Sequence, residues 1–220
     1  MLLSTFEAFK AHAHSEGQRE ACGLIVGEEY IPCRNVAPDM DDFEIHAEDW
    51  DAAEDRGTIR AVCHSHPGRS RRETEADLKG CKALGIPWFI LGDDGLQRID
   101  PEPIPLVGRV FDYGWSDCYS IVRDYLGDLP DFPREPEFWR AGHSPYEEQF
   151  EGLGFRRLDP TEALPGDVLL MRVLSPVVPN HAAIYLGAGW ILHHLWGRMS
   201  CRELWGPWMS ATTHVLRRDR

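Results

Sequence analysis

The chain has 220 residues, of which 43 % are hydrophobic and 27 % charged, enough for one large domain or two compact ones with buried cores. Its net charge of −13 argues against a nucleic-acid binder, because neutralising phosphates needs clustered Lys and Arg. No window approaches the roughly 18 consecutive apolar residues of a membrane helix, so no membrane partner is expected. The N-terminal run Met1-Leu2-Leu3-Ser4-Thr5-Phe6-Glu7 has neither the basic segment nor the long apolar stretch of a signal peptide. Six cysteines without paired spacing fit free thiols in a reducing cytoplasm.

In chain order, Leu2, Leu3, Phe6, Phe9 and Ala13 recur at roughly helical spacing and predict an amphipathic helix over 2–16. Short apolar runs near 22–27, 59–64 and 87–91 read as strands, with a helix from Thr74 to about Leu84. Gly92-Asp93-Asp94-Gly95 reads as a hairpin turn into one more strand. Pro101, Pro103 and Pro105 then make a semi-rigid linker. The domain boundary is placed there, giving domains 1–103 and 104–220 without an internal repeat.

The first half carries Cys63-His64-Ser65-His66-Pro67, followed by Thr74 and Asp77. Side chains two apart on a strand share a face, so His64 and His66 can bite one ion. Pro67 and Gly68 end the strand, and Thr74 caps a helix whose first turn returns Asp77 as a carboxylate ligand. Two histidines and a carboxylate leave one tetrahedral position open for water, the catalytic pattern of zinc. Glu20, just before an apolar strand, is the candidate base for that water. The basic cluster Arg69 to Arg72 reads as a lip of this site, since Glu73 and Glu75 follow at once. The residues alone also admit a surface His-x-His pair with scattered acids, or a metal held without turnover.

Glu20, His64, His66, Thr74 and Asp77 resemble the JAMM signature of the JAB/MPN metalloproteases. Asn35-Val36-Ala37-Pro38 and Asp42-Phe43-Glu44-Ile45 also look like that family. The resemblance spans roughly the first hundred residues. It implies zinc on His64, His66 and Asp77, Glu20 as general base, and a peptide or isopeptide substrate.

In the second half, Asp117 is a good N-cap and Cys118 falls on the first helical position. The positive helix end favours thiolate there, and the Cys118 backbone N–H could serve an oxyanion hole. A buried cysteine on an amphipathic helix is the plainer alternative. Asn180 to His194 reads as a hairpin around Gly187-Ala188-Gly189 that can bring His181 and His193 together, one to take the thiol proton and one to orient it. Gly166-Asp167 opens another strand. His194 alternates onto the other strand face. Tyr113 is a weaker site candidate. Trp115, Trp190, Trp196, Trp205 and Trp208 read mostly as core or groove walls, and His143, His214 and Cys201 as structural.

Cys118, Gly166-Asp167, His181, Tyr185-Leu186-Gly187 and His193 resemble, in order, the NlpC-type cysteine peptidases. That likeness implies a papain-like fold with Cys118 as nucleophile, His181 as general base and His193 orienting it. Tyr119-Ser120 departs from the family's usual Ser-Gly after the cysteine. The expected fold class is therefore α+β with two domains: an N-terminal JAB/MPN, cytidine-deaminase-like α/β sandwich and a C-terminal papain-like NlpC-type domain.

A metalloprotease half followed by an NlpC-type half is similar to the arrangement of tail assembly proteins of long-tailed phages. The resemblance implies synthesis in the host cytoplasm, a place at the virion tail tip, and two partners: peptidoglycan stem peptides and phage tail-tip proteins. It implies a bifunctional hydrolase; the alternative is a non-catalytic assembly factor that docks on tail-tip proteins. A host enzyme that trims peptidoglycan or removes a protein modifier is a third reading, disfavoured for wall lysis by the missing export signal.

Overall fold

The structure is a computed structural model and describes residues 1–218. The chain forms two compact units, one of Met1–Ile104 with Pro130–Pro133, the other of Pro105–Leu129 and the residues from Arg134 onward.

The first unit opens with helix α1 (Leu3–Glu16). Thr5 and Phe9, four residues apart, form its buried face, Met1 just ahead of it is buried as well, and Leu3 is exposed. The expected helix is present, but Phe9 alone of its five marked apolar residues is fully buried; its ring meets Tyr30 at 5.2 Å. Strands β1 (Cys22–Val26), β2 (Glu29–Cys33), β3 (Ile59–His66), β4 (Trp88–Gly92) and β5 (Gly95–Ile99) make one sheet in the order β2-β1-β3-β4-β5. Helix α2 (Ala47–Arg56) precedes β3, and α3 (Glu75–Leu84) links β3 to β4, the parallel pair of this sheet.

Two of these elements escape the sequence reading. Strand β2 contains Pro32, which a sheet tolerates at an edge, and β2 is an edge strand. Helix α2 is polar nearly all round and buries Ala53 alone, so it shows little periodicity; its start is fixed by the His46 ring, which accepts from Glu48 N–H. The core behind the sheet gathers Leu24, Ala53, Val62, Trp88 and Ile90. Each fully buried Val, Leu or Ile there contributes about 1.5–3 kcal/mol.

Gly92 is fixed by its neighbours: a Cβ there would lie 2.0 Å from the backbone nitrogen of Arg71. The loop after β3 therefore packs directly on the end of β4. Asp94 fastens that loop through Ser70 Oγ (2.8 Å) and Arg71 N–H (2.6 Å).

The second unit holds helix α4 (Cys118–Leu126), helix α5 (Pro145–Gly152) and strands β6 (Phe155–Leu158), β7 (Val168–Met171), β8 (His181–Gly187), β9 (Trp190–His193), β10 (Cys201–Leu204) and β11 (Thr212–Arg218). The six strands form one antiparallel sheet in the order β10-β9-β8-β7-β11-β6. Helix α4 packs on β8 and β9. The β8–β9 hairpin turns through Ala188 and Gly189, both at positive φ (49° and 77°), the backbone of a two-residue turn that matches strand twist. Asp167, from the Gly-Asp pair, accepts a two-pronged bond from Arg217 (2.9 and 2.7 Å) and so ties β7 to β11. Both units are mixed α and β, as expected. Among the described residues no helix is long and apolar enough to cross a membrane, and all six cysteines are free.

Candidate functional site

Each unit places reactive side chains where strand histidines meet a helix start. In the first, alternation along β3 turns His64 and His66 to one side, with their Nε2 atoms 3.1 Å apart. The capping box of α3 brings in Asp77: Thr74 Oγ1 accepts from Asp77 N–H (3.1 Å), and Asp77 Oδ2 accepts from Thr74 N–H (2.7 Å). Asp77 Oδ1 lies 3.1 Å from His64 Nε2, and Oδ2 lies 3.6 Å from His66 Nε2. Glu20 completes the group, with Oε1 3.8 Å from His66 Nε2. The structure thus brings together all four residues expected there, and each is at most 5 % exposed.

This donor set fits a divalent cation. Tetrahedral bonds of zinc length place ligand atoms about 3.3 Å apart; the two histidine Nε2 atoms stand 3.1 Å apart, with Asp77 Oδ1 3.1 Å from His64 and Oδ2 3.6 Å from His66. His66 Nδ1 donates to the Ser70 carbonyl (3.0 Å), which leaves its Nε2 lone pair facing the cluster. Glu20, His64 and His66 also bring ligand atoms within 4.8 Å of one another, so the Glu20 carboxylate is within reach of an ion as well. Phe43 stacks on the His64 ring at 4.4 Å, and Trp88 meets it edge-on at 5.6 Å. These apolar walls hold the ring in place. A cleft of about 750 Å³ opens at Glu20, His66 and Asp77.

Charge is unevenly tuned in this cluster. Burial pushes the Glu20 carboxyl up to about 8, against the pull of Arg69. Burial acts the same way on Asp77, but the bonds from His64 and Thr74 outweigh it and hold its carboxyl at about 2. Burial lowers His64. Arg69 itself ion-pairs with Glu20. The sequence reading made Arg69 part of a lip; its guanidinium instead reaches the candidate base, 49 residues away in the chain.

In the second unit Asp117 caps α4 through Ser120 N–H (3.0 Å), placing Cys118 on the first helical position. Asp117 is fully buried and takes two bonds from Arg134, Nε to Oδ2 (2.8 Å) and Nη2 to Oδ1 (2.7 Å). Burial would raise this carboxyl, yet Arg134 and the backbone N–H groups keep it below the usual range. The β8–β9 hairpin brings His181 Nε2 to 3.1 Å from His193 Nδ1. Cys118 and His181 line one cavity of about 280 Å³ with Tyr146, Trp139 and Trp196.

The resting thiol differs from the thiolate expected at a helix start. Burial, then the Asp117 carboxylate, push Cys118 up to about 11. Burial likewise drives His181 well below the usual range. Desolvation outweighs the partial charge of the helix end, so the resting pair is thiol and neutral imidazole. Cys118 Sγ meets the Tyr146 hydroxyl at 3.3 Å.

Several residues fall elsewhere than expected or were missed. His194 follows β9 and, as read, is off the His193 face, yet it lines the same cavity as Cys118. Its two ring nitrogens are buried without a hydrogen-bond partner, and burial lowers its basicity although the Asp117 carboxylate opposes that. Tyr119, the departure from Ser-Gly, lies flat on Tyr146 (4° between rings), with Arg134 over its face at 5.0 Å. Cys201, read as structural, lies opposite His193 in the β9–β10 ladder. Tyr113 donates to the Glu135 carbonyl (2.6 Å) at the cavity wall. Trp115 and Trp205 are core, whereas Trp190 and Trp196 are exposed.

Comparison with known proteins agrees with this division. Residues 3–103 match the prokaryotic homologs of the JAB domain, and residues 108–218 match the NlpC/P60 family. Tail tip assembly protein K of Escherichia phage N15 is 34 % identical over 235 residues, covering 99 % of this chain and 95 % of that protein. This chain belongs to the tail tip assembly protein K family. The K protein of Escherichia phage lambda is 39 % identical over 177 residues, covering 79 % of this chain and 88 % of its own. An NlpC/P60 family protein of Bacillus cereus aligns over 96 % of this chain and 66 % of its own, with 9 % identity and a TM-score of 0.35. The two-domain order read from the motifs is the order of the matched families in this K-family chain.

Proposed function

We propose that this protein is a bifunctional hydrolase of a phage tail tip, with a cysteine endopeptidase in its second unit that cuts peptidoglycan stem peptides. The observation that carries the reading is Cys118 at the head of α4, sharing a cavity with His181, which is backed by His193. The NlpC/P60 match over the same residues supports it.

In this reading His181 takes the Sγ proton as Cys118 attacks the carbonyl carbon. The C–N bond then breaks, His181 gives the proton to the leaving amine, and a thioester remains on Cys118. Water attacks that thioester with His181 again as base, which restores the thiol. His193 orients His181 and shares its charge. The Cys118 backbone N–H, at the positive end of α4, stabilises the oxyanion. Because the resting thiol is raised to about 11, His181 must remove the proton as the bond forms. The bond we assign lies between D-γ-glutamyl and diaminopimelate residues. Trp139 and Trp196 wall the cavity and give the peptide an apolar face to lie on.

The first unit would hydrolyse a second amide. His64, His66 and Asp77 would hold a zinc ion, which would supply Lewis-acid activation, and Glu20 would serve as the general base. For that role Arg69 must release the carboxylate it now pairs with.

The relatives' name, tail tip assembly protein K, favours a second role beside hydrolysis: docking on tail-tip proteins while the tail is built, with its place in the host cytoplasm and then the virion. Defined muropeptides incubated with the wild-type and Cys118→Ala proteins, and read by mass spectrometry, test the enzymatic claim. Cleavage between glutamyl and diaminopimelate by the wild type alone is expected. Equal cleavage by both proteins, or by neither, would remove it and leave the assembly role.

A further inference from the structure

The cysteine site does not end at His193. Strand β10 runs beside β9, with Cys201 opposite His193 in register. Two residues on, Glu203 projects to the same side, and its carboxylate bonds His193 Nε2. Arg198 holds that carboxylate from behind, Nη1 to Oε1 (3.4 Å) and Nη2 to Oε2 (3.3 Å), and also reaches Cys201 Sγ (3.6 Å). Trp208 closes the His193 ring edge-on at 5.3 Å.

Hydrogen-bond direction follows from the chemistry of these groups. An ionised carboxylate only accepts, so His193 carries its proton on Nε2. Its Nδ1 is then a lone pair, 3.1 Å from His181 Nε2, and must accept from it. That places the His181 proton on Nε2 and leaves His181 Nδ1 as the basic nitrogen for the thiol. We propose that Glu203 is a positioning residue for the cysteine site: it sets the tautomers of His193 and His181 in turn, so that His181 meets Cys118 with its unprotonated nitrogen. The proposal rests on the reading of Cys118 and His181 as the reacting pair. The wrong tautomer would present N–H to the thiol and could not take its proton.

His193, Cys201 and Glu203 also bring donor atoms within 4.8 Å of one another, as a metal site would. Arg198 argues against an ion there. Its guanidinium already holds both Glu203 and Cys201 and would repel a cation. His193 is also engaged on both ring nitrogens. The cluster reads as a hydrogen-bonded relay of carboxylate, imidazole and imidazole, ending at the thiol.

The test uses the full-length protein and needs no peptidoglycan, so its failure is distinct from failure of the peptidase reading. Cys118 alkylation by iodoacetamide is followed against pH in the wild type and in Glu203→Gln, and the histidine tautomers are read by nitrogen-15 NMR. The amide in Glu203→Gln keeps the shape but can donate to His193 Nε2. The expected result is alkylation about tenfold slower at neutral pH, with the His193 proton moved from Nε2 to Nδ1. Glu203→Asp should recover part of the rate, which a purely structural loss would not. Unchanged tautomers and an unchanged pH profile in Glu203→Gln would overturn the proposal. So would a wild-type protein that loses one equivalent of zinc on Cys201→Ser, because the cluster would then be a metal site.

Discussion

The two candidate sites are built alike and stabilised differently. Both seat a site residue in the first turn of a helix beside a pair of histidines carried by the sheet. In the first unit the histidine nitrogens and two carboxylates converge on one point, 3.1 to 3.8 Å apart. Lone pairs directed at one point call for a cation, and Arg69 already supplies a positive charge to Glu20. In the second unit the polar atoms pass hydrogen bonds along a line, from Glu203 through His193 to His181. That line needs no ion: burial lowers both histidines, while Arg198 and His193 hold the Glu203 carboxylate in its charged form. A convergent cluster is therefore expected to depend on metal, and a linear one on dryness and tautomer.

The largest expected effect separates the two chemistries. Cys118→Ala should lower muropeptide cleavage roughly a million-fold while leaving zinc content unchanged; loss of zinc in that variant would mean the units are not independent. The converse variant is His64→Ala. It should reduce bound zinc, measured by elemental analysis, from about one equivalent per chain to almost none, with Cys118 alkylation unaltered.

Arg134→Ala sharpens the contrast further, because it strands the Asp117 carboxylate in a buried site. Breaking such a pair costs about 3–5 kcal/mol, and urea unfolding of the second unit should show it. The sign with pH follows from the lowered Asp117 carboxyl. Its stabilisation is present above the ordinary carboxylate range and is lost as pH falls through the folded value. An acid-side destabilisation that persists in Asp117→Asn/Arg134→Met would count against this assignment.

The dry thiol makes a milder prediction. With Cys118 raised to about 11, alkylation should climb roughly tenfold per pH unit between neutrality and pH 9. A plateau near pH 7 would indicate a preformed thiolate. The smallest effect is at the metal-side helix, where Thr74→Ala removes the cap of α3. It should cost about 1 kcal/mol in thermal or urea unfolding, with zinc uptake weakened because Thr74 also holds Asp77.

The contrast between the sites was only half legible in the sequence. His64, His66 and Asp77 could be read because strand alternation and a helix cap fix their directions within a few residues. Cys118 and the His181–His193 hairpin could be read for the same reason. What completes each site arrives from far along the chain. Arg69 reaches Glu20 across 49 residues, Tyr146 reaches Cys118 across 28, and Glu203 reaches His193 only because β10 pairs with β9. No local pattern encodes those meetings. A helix end favours thiolate at Cys118, and the burial that opposes it is not visible in the local sequence. Among the strands, β2 hid behind Pro32, while β6 and β10 are short and half-exposed, with too little alternation to mark them.

The most direct measurement of the account is a crossed inhibition experiment on one muropeptide digest, treated in parallel with a zinc chelator and with iodoacetamide. Cleavage at the glutamyl–diaminopimelate bond that survives the chelator and disappears on alkylation is the expected result. Cleavage that survives alkylation but disappears with the chelator would assign the wall chemistry to the metal cluster and contradict the central claim.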